Sequence, residues 1–246
     1  MTSTITILCP QGIVMAADSR ISYVDSVTGQ PRELMDDVKK IFYLRKAKVG
    51  ISYWGLATIQ GKPMLDFLQE IEDTFIQEED KINDVAEKLL KRLHGTTPRI
   101  RTRMGLHIAG YVREGTNYIP KLQHIFHERW HSDGEFTNEN CHLEYHSNGK
   151  KILFHQYYPY PVLFNGDNAV ANCLFNYIPH ISGQKIRTDL LTLDECLDLA
   201  ELILSVSIQR LDFYFTRQED KVFRSVGGPI HIGRIKLIEG FDWYKE

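Results

Sequence analysis

The chain has 246 residues, a formal net charge of -3 and 43% hydrophobic residues. This length fits one domain, residues 1–246, with enough apolar surface for a full core. The charge shows no basic excess, which argues against general nucleic-acid binding, and no apolar run is long enough to cross a bilayer. The start of the chain lacks the basic and apolar regions of a secretory signal. We therefore expect a cytoplasmic protein without nucleic-acid or membrane partners.

Cysteine and histidine spacing gives no metal or disulfide signature. The four cysteines are far apart and form no CxxC pair: Cys9, Cys141, Cys173 and Cys196. This spacing predicts reduced thiols of a cytoplasmic protein. His124, His127 and His131 lie close in sequence, but residues 124 and 127 of a strand point to opposite faces, which suits a single metal ion poorly. We predict no metal site.

The first part of the chain is predicted to form strands. Alternating and β-branched residues indicate four of them, over residues 4–8, 13–18, 40–44 and 49–54. Pro10, Gln11 and Gly12 predict a tight turn, so the first two strands form a hairpin almost at the N-terminus. Residues 22–37 are polar and are predicted to form a loop.

Helical periodicity follows, and strands then return. Apolar residues three or four positions apart predict one amphipathic helix over residues 62–79 and a second from residue 82 to about Gly95. Further strands are predicted over residues 105–111, 118–126, 142–145 and 152–157. Residues 128–150 are polar and turn-rich, which predicts a hairpin excursion from the domain.

The last third of the chain repeats the change from helix to strand. A helix is predicted over about residues 168–178, and the capping-box sequence from Thr192 to Glu195 opens a long helix that ends near Phe215. Final strands are predicted over residues 222–226 and 230–238. The order of elements predicts an α+β domain in which helices cover antiparallel sheets.

The candidate chemistry lies in the first forty residues. A threonine hydroxyl is a weak nucleophile and needs a nearby base. Removal of Met1 would free the α-amine of Thr2, whose ordinary pKa of about 7.7–8.0 leaves an appreciable neutral fraction at physiological pH. A lysine near the hydroxyl would favour its deprotonated form, and an aspartate would hold that lysine in place. Thr2 could then supply both nucleophile and base.

Three segments carry a resemblance to a known family: residues 2–5 (TSTI), 12–20 (GIVMAADSR) and 38–41 (VKKI). Together they resemble the proteasome β-subunits and their HslV-like relatives, which are N-terminal nucleophile (Ntn) hydrolases. In that family the mature N-terminal threonine precedes the aspartate by sixteen residues, as Thr2 precedes Asp18 here. About six additional residues separate Arg20 from Val38, an insertion that a loop absorbs at small entropic cost.

The resemblance implies the four-layer αββα sandwich of Ntn hydrolases and a role for each matching residue. Thr2 would be the nucleophile, Lys40 the catalytic lysine and Asp18 its partner. The segment over residues 50–57 resembles the family's paired-glycine segment, so the backbone amide of Trp54, or of Gly55 in the neighbouring register, would stabilise the oxyanion. The residues expected beside the substrate are Arg20, Ser52 and Leu56.

The chain also departs from the family pattern. Val226 and Phe223 stand where the family has an accessory serine and aspartate, and residues 166–168 (GDN) replace a Gly-Ser-Gly segment. The accessory hydrogen bonds would then come from other groups, such as Asp167 or Ser225. We interpret the chain as a divergent proteasome-like homologue.

The favoured function is a threonine-dependent amidohydrolase, a peptidase acting through an acyl-enzyme ester and needing no cofactor. One alternative is a non-catalytic proteasome-like structural or interaction subunit. Another is an Ntn acylase or transpeptidase acting on a small amide or peptide. The resemblance implies self-association into a ring or stacked assembly, whereas it leaves a regulatory ATPase unknown.

Overall fold

The computed structural model of the protein describes residues 2–24, 31–96, 104–127, 136–140, 162–166, 169–177, 186–216 and 226–246. The strands are β1 Ser3–Cys9, β2 Gly12–Asp18, β3 Arg20–Val24, β4 Pro31–Asp36, β5 Ile41–Leu44, β6 Val49–Trp54, β7 Thr58–Ile59, β8 Lys62–Pro63, β9 Met104–Glu114, β10 Asn117–His127, β11 Phe136–Asn140, β12 Val162–Gly166, β13 Ile230–Lys236 and β14 Gly240–Lys245. The helices are α1 Met64–Phe75, α2 Ile82–Thr96, α3 Ala169–Asn172, which continues as a π-helical turn Cys173–Tyr177, and α4 Leu193–Thr216.

Ten of these strands form two antiparallel sheets. The first has the order β12-β1-β2-β13-β14, and the second has the order β11-β10-β9-β6-β5. Strands β3 and β4 form a separate hairpin, as do the short strands β7 and β8. Because β1 and β2 lie inside the first sheet, every residue of both strands is buried. These elements confirm the predicted α+β class.

The core has three parts, which follow from the alternation of side chains along each strand. One face of the first sheet packs against α3 and α4 through residues such as Ile5, Ile7 and Leu197. One face of the second sheet packs against α1 and α2. Between the sheets lies a smaller apolar cluster that includes Leu8 and Met15.

The long helix α4 begins as the sequence predicts. The backbone N–H of Glu195 donates to Thr192 Oγ1 at 3.2 Å, and the Glu195 carboxylate accepts the backbone N–H of Thr192 at 2.7 Å. This reciprocal pair satisfies donors that the first turn leaves without a helical partner. Among the residues that the structure describes, no helix is both long and apolar enough to cross a membrane.

One sequence prediction is wrong in this part of the molecule, and one strand was missed. The predicted loop over residues 22–37 contains the paired strands β3 and β4, which Arg20 and Asp36 join at their open end through an ion pair. The strand β14 was not predicted, although Phe241 and Trp243 alternate along it and pack against the inter-sheet cluster. Both hairpins depend on contacts that a local pattern reveals only weakly.

Helix α1 is shorter than the predicted helix over residues 62–79. Its first predicted residues form β8, and Ile76 adopts an extended backbone with φ -88° and ψ 134°. The Asp80 carboxylate then accepts the backbone N–H of Gln77 at 2.8 Å and stabilises the turn before α2.

Several other predictions fall outside the described residues. These are the strands over residues 142–145 and 152–157 and nearly all of the strand over residues 222–226. Within the predicted excursion over residues 128–150, the described part is β11, which pairs with β10.

Candidate functional site

The β1–β2 hairpin brings the N-terminal residues beside the end of β2. Thr4 pairs with Ala17 in this hairpin, so Ser3 lies next to Asp18. The backbone N–H of Ser3 donates to Asp18 Oδ1 at 2.8 Å. Thr2, the preceding residue, is buried. Thr2, the predicted nucleophile, is therefore bonded to the residue whose N–H donates to Asp18, the predicted aspartate.

Lys40 completes this cluster from the start of β5. Its Nζ donates to Asp18 Oδ1 at 2.9 Å and to the backbone carbonyl of Arg20 at 2.6 Å. Lys40 is itself held in place, because its carbonyl accepts the backbone N–H of Tyr53 at 3.1 Å. Both Lys40 and Asp18 are 0% exposed. Lys40 and Asp18, which the sequence predicted as a pair, form a buried ion pair.

A third donor reaches Asp18 from the distant C-terminal part of the chain. The backbone N–H of Gly227 donates to Asp18 Oδ2 at 3.0 Å. The same loop is fixed to the strand end by two backbone bonds, from Ser19 N–H to Pro229 O and from Arg20 N–H to Gly227 O, both at 3.0 Å. Asp18 thus accepts hydrogen bonds from two backbone amides and one ammonium.

Burial is the largest influence on the Lys40 ammonium. It lowers the pKa of Lys40 below its usual range, because the charged form loses hydration, while the nearby Asp18 carboxylate acts in the opposite direction. A lysine with a lowered pKa gives up its proton at a lower pH than an exposed lysine does. The environment of Lys40 is suited to moving a proton.

Arg20 makes several contacts at the border of the cluster. Its carbonyl binds Lys40, as described above, and its guanidinium donates to both carboxylate oxygens of Asp36 at 2.5 Å. These bonds lower the pKa of Asp36. A Cβ at Gly227 would lie 2.7 Å from the Arg20 Cζ atom, so the guanidinium packs directly over this glycine. Arg20 therefore ties the β3–β4 hairpin to the site.

Gly166 closes the site on the side of Thr2. It pairs with Ser3 at the end of β12 and has φ 94°, a conformation that favours glycine. A Cβ at this position would overlap the carbonyl oxygen of Thr2. The backbone of Thr2 is therefore in close contact with position 166, which only glycine can occupy without a clash.

The other predicted site residues lie along and after β6. Ser52 is buried in this strand, and its Oγ has no hydrogen-bond partner among the described residues. The Trp54 side chain donates its indole N–H to His124 Nε2 at 3.3 Å. Gly55 is exposed with φ 90°, while Leu56 packs against the cluster under α1 and α2. Asp167 and Ser225 lie outside the described residues.

Sequence reasoning missed a polar group between the two sheets. Thr6 Oγ1 and His107 Nδ1 lie 3.0 Å apart, and His107 Nε2 lies 2.6 Å from Asn165 Oδ1. Burial lowers the pKa of His107 to about 4, against the weaker opposing effect of Asn165. The imidazole is neutral at physiological pH and links the sheets. The sequence around His107 did not indicate this polar group, since a single histidine in an apolar strand is common.

The amides of Ser3 and Gly227 were missed as well. The sequence did contain one indication, because Gly227 and Gly228 form a pair after the long helix. A Cβ at Gly228 would lie within overlap distance of Ser19 Oγ. A sequence motif does not reveal backbone donors of this kind, because every residue except proline has a backbone N–H.

The elements above define an α+β protein with a buried lysine–aspartate pair beside its N-terminal strand. Among solved structures, it is similar to an Anbu (Gly-1) mutant from Hyphomicrobium sp. strain MC1. The TM-score is 0.52 at 13% sequence identity, over 100% of this chain and 86% of the other. At this sequence identity the comparison shows a likeness of fold. No protein-family model matches the chain, and no curated protein matches it.

Proposed function

We propose that the protein is a threonine-dependent amidohydrolase, a peptidase built on the αββα sandwich of the Ntn hydrolases. The observation that carries the proposal is the buried Lys40 Nζ, which lies 2.9 Å from Asp18 Oδ1 while the same oxygen accepts the Ser3 N–H. Removing an ammonium and a carboxylate from water is costly, and buried ionisable groups with shifted pKa values are common at functional sites. The likeness of fold to Anbu is compatible with this proposal.

The proposed reaction begins after Met1 is removed. Thr2 Oγ1 attacks the substrate carbonyl, and its proton passes to the free α-amine of Thr2 or to neutral Lys40. Asp18 orients Lys40 throughout. The tetrahedral oxyanion accepts a hydrogen bond from the backbone amide of Trp54 or Gly55. The leaving amine takes the proton as the C–N bond breaks, which leaves an ester on Thr2.

Water completes the cycle. The same base removes a proton from water, which attacks the ester carbonyl and restores the Thr2 hydroxyl as the acid product leaves. An amine in place of water would give transpeptidation. Arg20, whose carbonyl binds Lys40, and Ser52, whose buried Oγ has no hydrogen-bond partner among the described residues, are the candidates for contacts with substrate.

The test begins with the intact mass of the purified protein, which should lack Met1. A β-lactone electrophile should then label the protein on Thr2, as mapped by tandem mass spectrometry. Thr2→Ala should remove labelling and peptidase activity, whereas Thr2→Ser should retain measurable labelling because it keeps the hydroxyl and the amine. Retained Met1, or equal labelling of Thr2→Ala, rejects the mechanism.

A further inference from the structure

A second site lies along the open side of the two sheets. A cleft of about 1260 Å³ is bordered by β5, the β13–β14 hairpin and α1. Strands β5 and β14 are the last strands of their respective sheets, and none of Thr2, Asp18 and Lys40 lines the cleft. This volume is larger than that of most small-molecule pockets.

The cleft follows the edges of both strands. Three successive residues of β5 line it, Ile41, Phe42 and Tyr43, and three successive residues of β14 do so as well, Phe241, Asp242 and Trp243. Neighbouring side chains of a strand point to opposite faces of its sheet. A cleft that contacts successive residues must therefore pass the edge of the strand. Among the described residues, no further strand pairs with this edge of β5 or of β14, so backbone N–H and C=O groups there could pair with an added strand.

The walls of the cleft are aromatic, and its lip is apolar. Tyr43 stacks on Phe241 with ring centroids 5.0 Å apart, and Phe241 meets the edge of Trp243 at the same distance. At the turn between β13 and β14, Ile238 is 95% exposed and Leu237 is 45% exposed. Aromatic walls beside exposed aliphatic side chains are typical of surfaces that bind a partner.

The charged residues that line the cleft favour an acidic ligand. Its three carboxylates are already engaged: Glu72 accepts the backbone N–H of Lys46 at 3.1 Å, Glu239 pairs with Lys236 at 2.6 Å, and Asp242 pairs with Arg234 at 2.8 Å. Arg45 and Lys48, in the turn between β5 and β6, are exposed and have no ion-pair partner among the described residues. Lys48 also holds φ 54°, which is uncommon for a residue other than glycine.

We propose that this cleft binds an acidic peptide segment of a partner protein in extended conformation. The segment adds a strand along β5, its apolar side chains contact Tyr43, Phe241 and Trp243, and its carboxylates pair with Arg45 and Lys48. Backbone pairing supplies affinity in this mode of recognition, and the side-chain contacts supply specificity. This site is independent of the proposed activity of Thr2.

The test uses the full chain and a short fluorescein-labelled peptide in which glutamate and leucine alternate. Fluorescence anisotropy should show binding that weakens as salt is added. The variant R45E/K48E should bind roughly tenfold more weakly, since two exposed ion pairs are lost and two repulsions are added. The control K62E/K91E makes the same change in net charge at exposed lysines away from the cleft and should bind as the unmodified chain does.

Two further peptides complete the test. A peptide with lysine in place of glutamate should bind R45E/K48E better than the unmodified chain, and an N-methylated glutamate–leucine peptide should lose binding because it lacks strand donors. Equal binding of the acidic peptide to R45E/K48E and the unmodified chain would overturn the proposal, as would undiminished binding of the N-methylated peptide. Light scattering that shows R45E/K48E abolishing self-association, with no effect of the acidic peptide, would instead assign the cleft to a second copy of this chain.

Discussion

Lys40 Nζ lies 2.9 Å from Asp18 Oδ1, and neither side chain is exposed to solvent by more than 1%. An ion pair buried this deeply has lost most of its hydration, and its mutual attraction does not reliably exceed that loss. Additional hydrogen bonds from Ser3, Gly227 and the Arg20 carbonyl complete its partners. In the proposed mechanism, this pair holds Lys40 in position to exchange a proton with Thr2.

Lys40→Met should destabilise the protein by about 3–5 kcal/mol, because it leaves the Asp18 carboxylate buried without its cation. Urea unfolding followed by circular dichroism measures this change. The double variant D18N/K40M removes both charges and should recover most of the lost free energy of unfolding. It should nevertheless remain unlabelled by the β-lactone. Labelling of the double variant at the normal rate would contradict the role of Lys40 in catalysis.

Gly166→Ala should displace Thr2 and suppress β-lactone labelling. The added Cβ would overlap the Thr2 carbonyl oxygen at a residue whose φ is 94°, and the backbone strain alone costs about 1–3 kcal/mol. Gly115→Ala is the matched control, since Gly115 has φ 64° with no atom within 4 Å of a new Cβ. It should lose about 1 kcal/mol of stability and label normally. Equal labelling rates in the two variants would show that the backbone position of Thr2 does not matter.

The rate of β-lactone labelling should rise with pH and level off below the ordinary lysine pKa of 10.5. Burial lowers the pKa of Lys40, so its neutral form, which accepts the Thr2 proton, becomes populated at lower pH than in an exposed lysine. Stopped-flow labelling across the alkaline range measures this profile. Lys40→Arg provides the comparison, because its guanidinium stays protonated and should remove the part of the profile due to Lys40. An identical profile in that variant would exclude Lys40 as the titrating group.

Acid should lower the free energy of unfolding partly through His107, whose pKa falls from 6.5 to about 4 on folding. Between pH 6.5 and about 4, the His107 imidazole is protonated in the unfolded chain but not in the folded chain. The contribution of this residue to stability is therefore complete above pH 6.5 and is lost as the pH falls toward 4. The loss attributable to this residue is about 3 kcal/mol. Urea unfolding at pH 7 and pH 5 should show a smaller pH dependence for His107→Gln than for the unmodified chain. The same pH dependence in both would rule out His107 as a source of acid sensitivity.

Much of the candidate site could be predicted from sequence because its key residues lie in short local motifs. The turn at Gly12 sets the length of the first hairpin, and alternation sets its register, so Ser3 and Asp18 must meet. Lys40 immediately precedes β5, a strand whose apolar residues were recognisable, so the local position of Lys40 was predictable. Helix α4 was predictable for a similar reason, since Thr192 and Glu195 form a local capping box.

The remaining features depend on which strands become neighbours, and no local pattern encodes that choice. The Gly227 amide reaches Asp18 across 209 positions only because β13 pairs with β2. The bond between His107 and Asn165 exists because two sheets face each other, and the acidic-peptide cleft exists because β5 and β14 are both terminal strands. The sequence by itself predicted most of the longer strands and helices through short-range periodicity, and it predicted the lysine–aspartate pair through a resemblance to a known family. The tertiary structure decided burial, the third donor to Asp18 and the open edge, because these arise from contacts between distant segments.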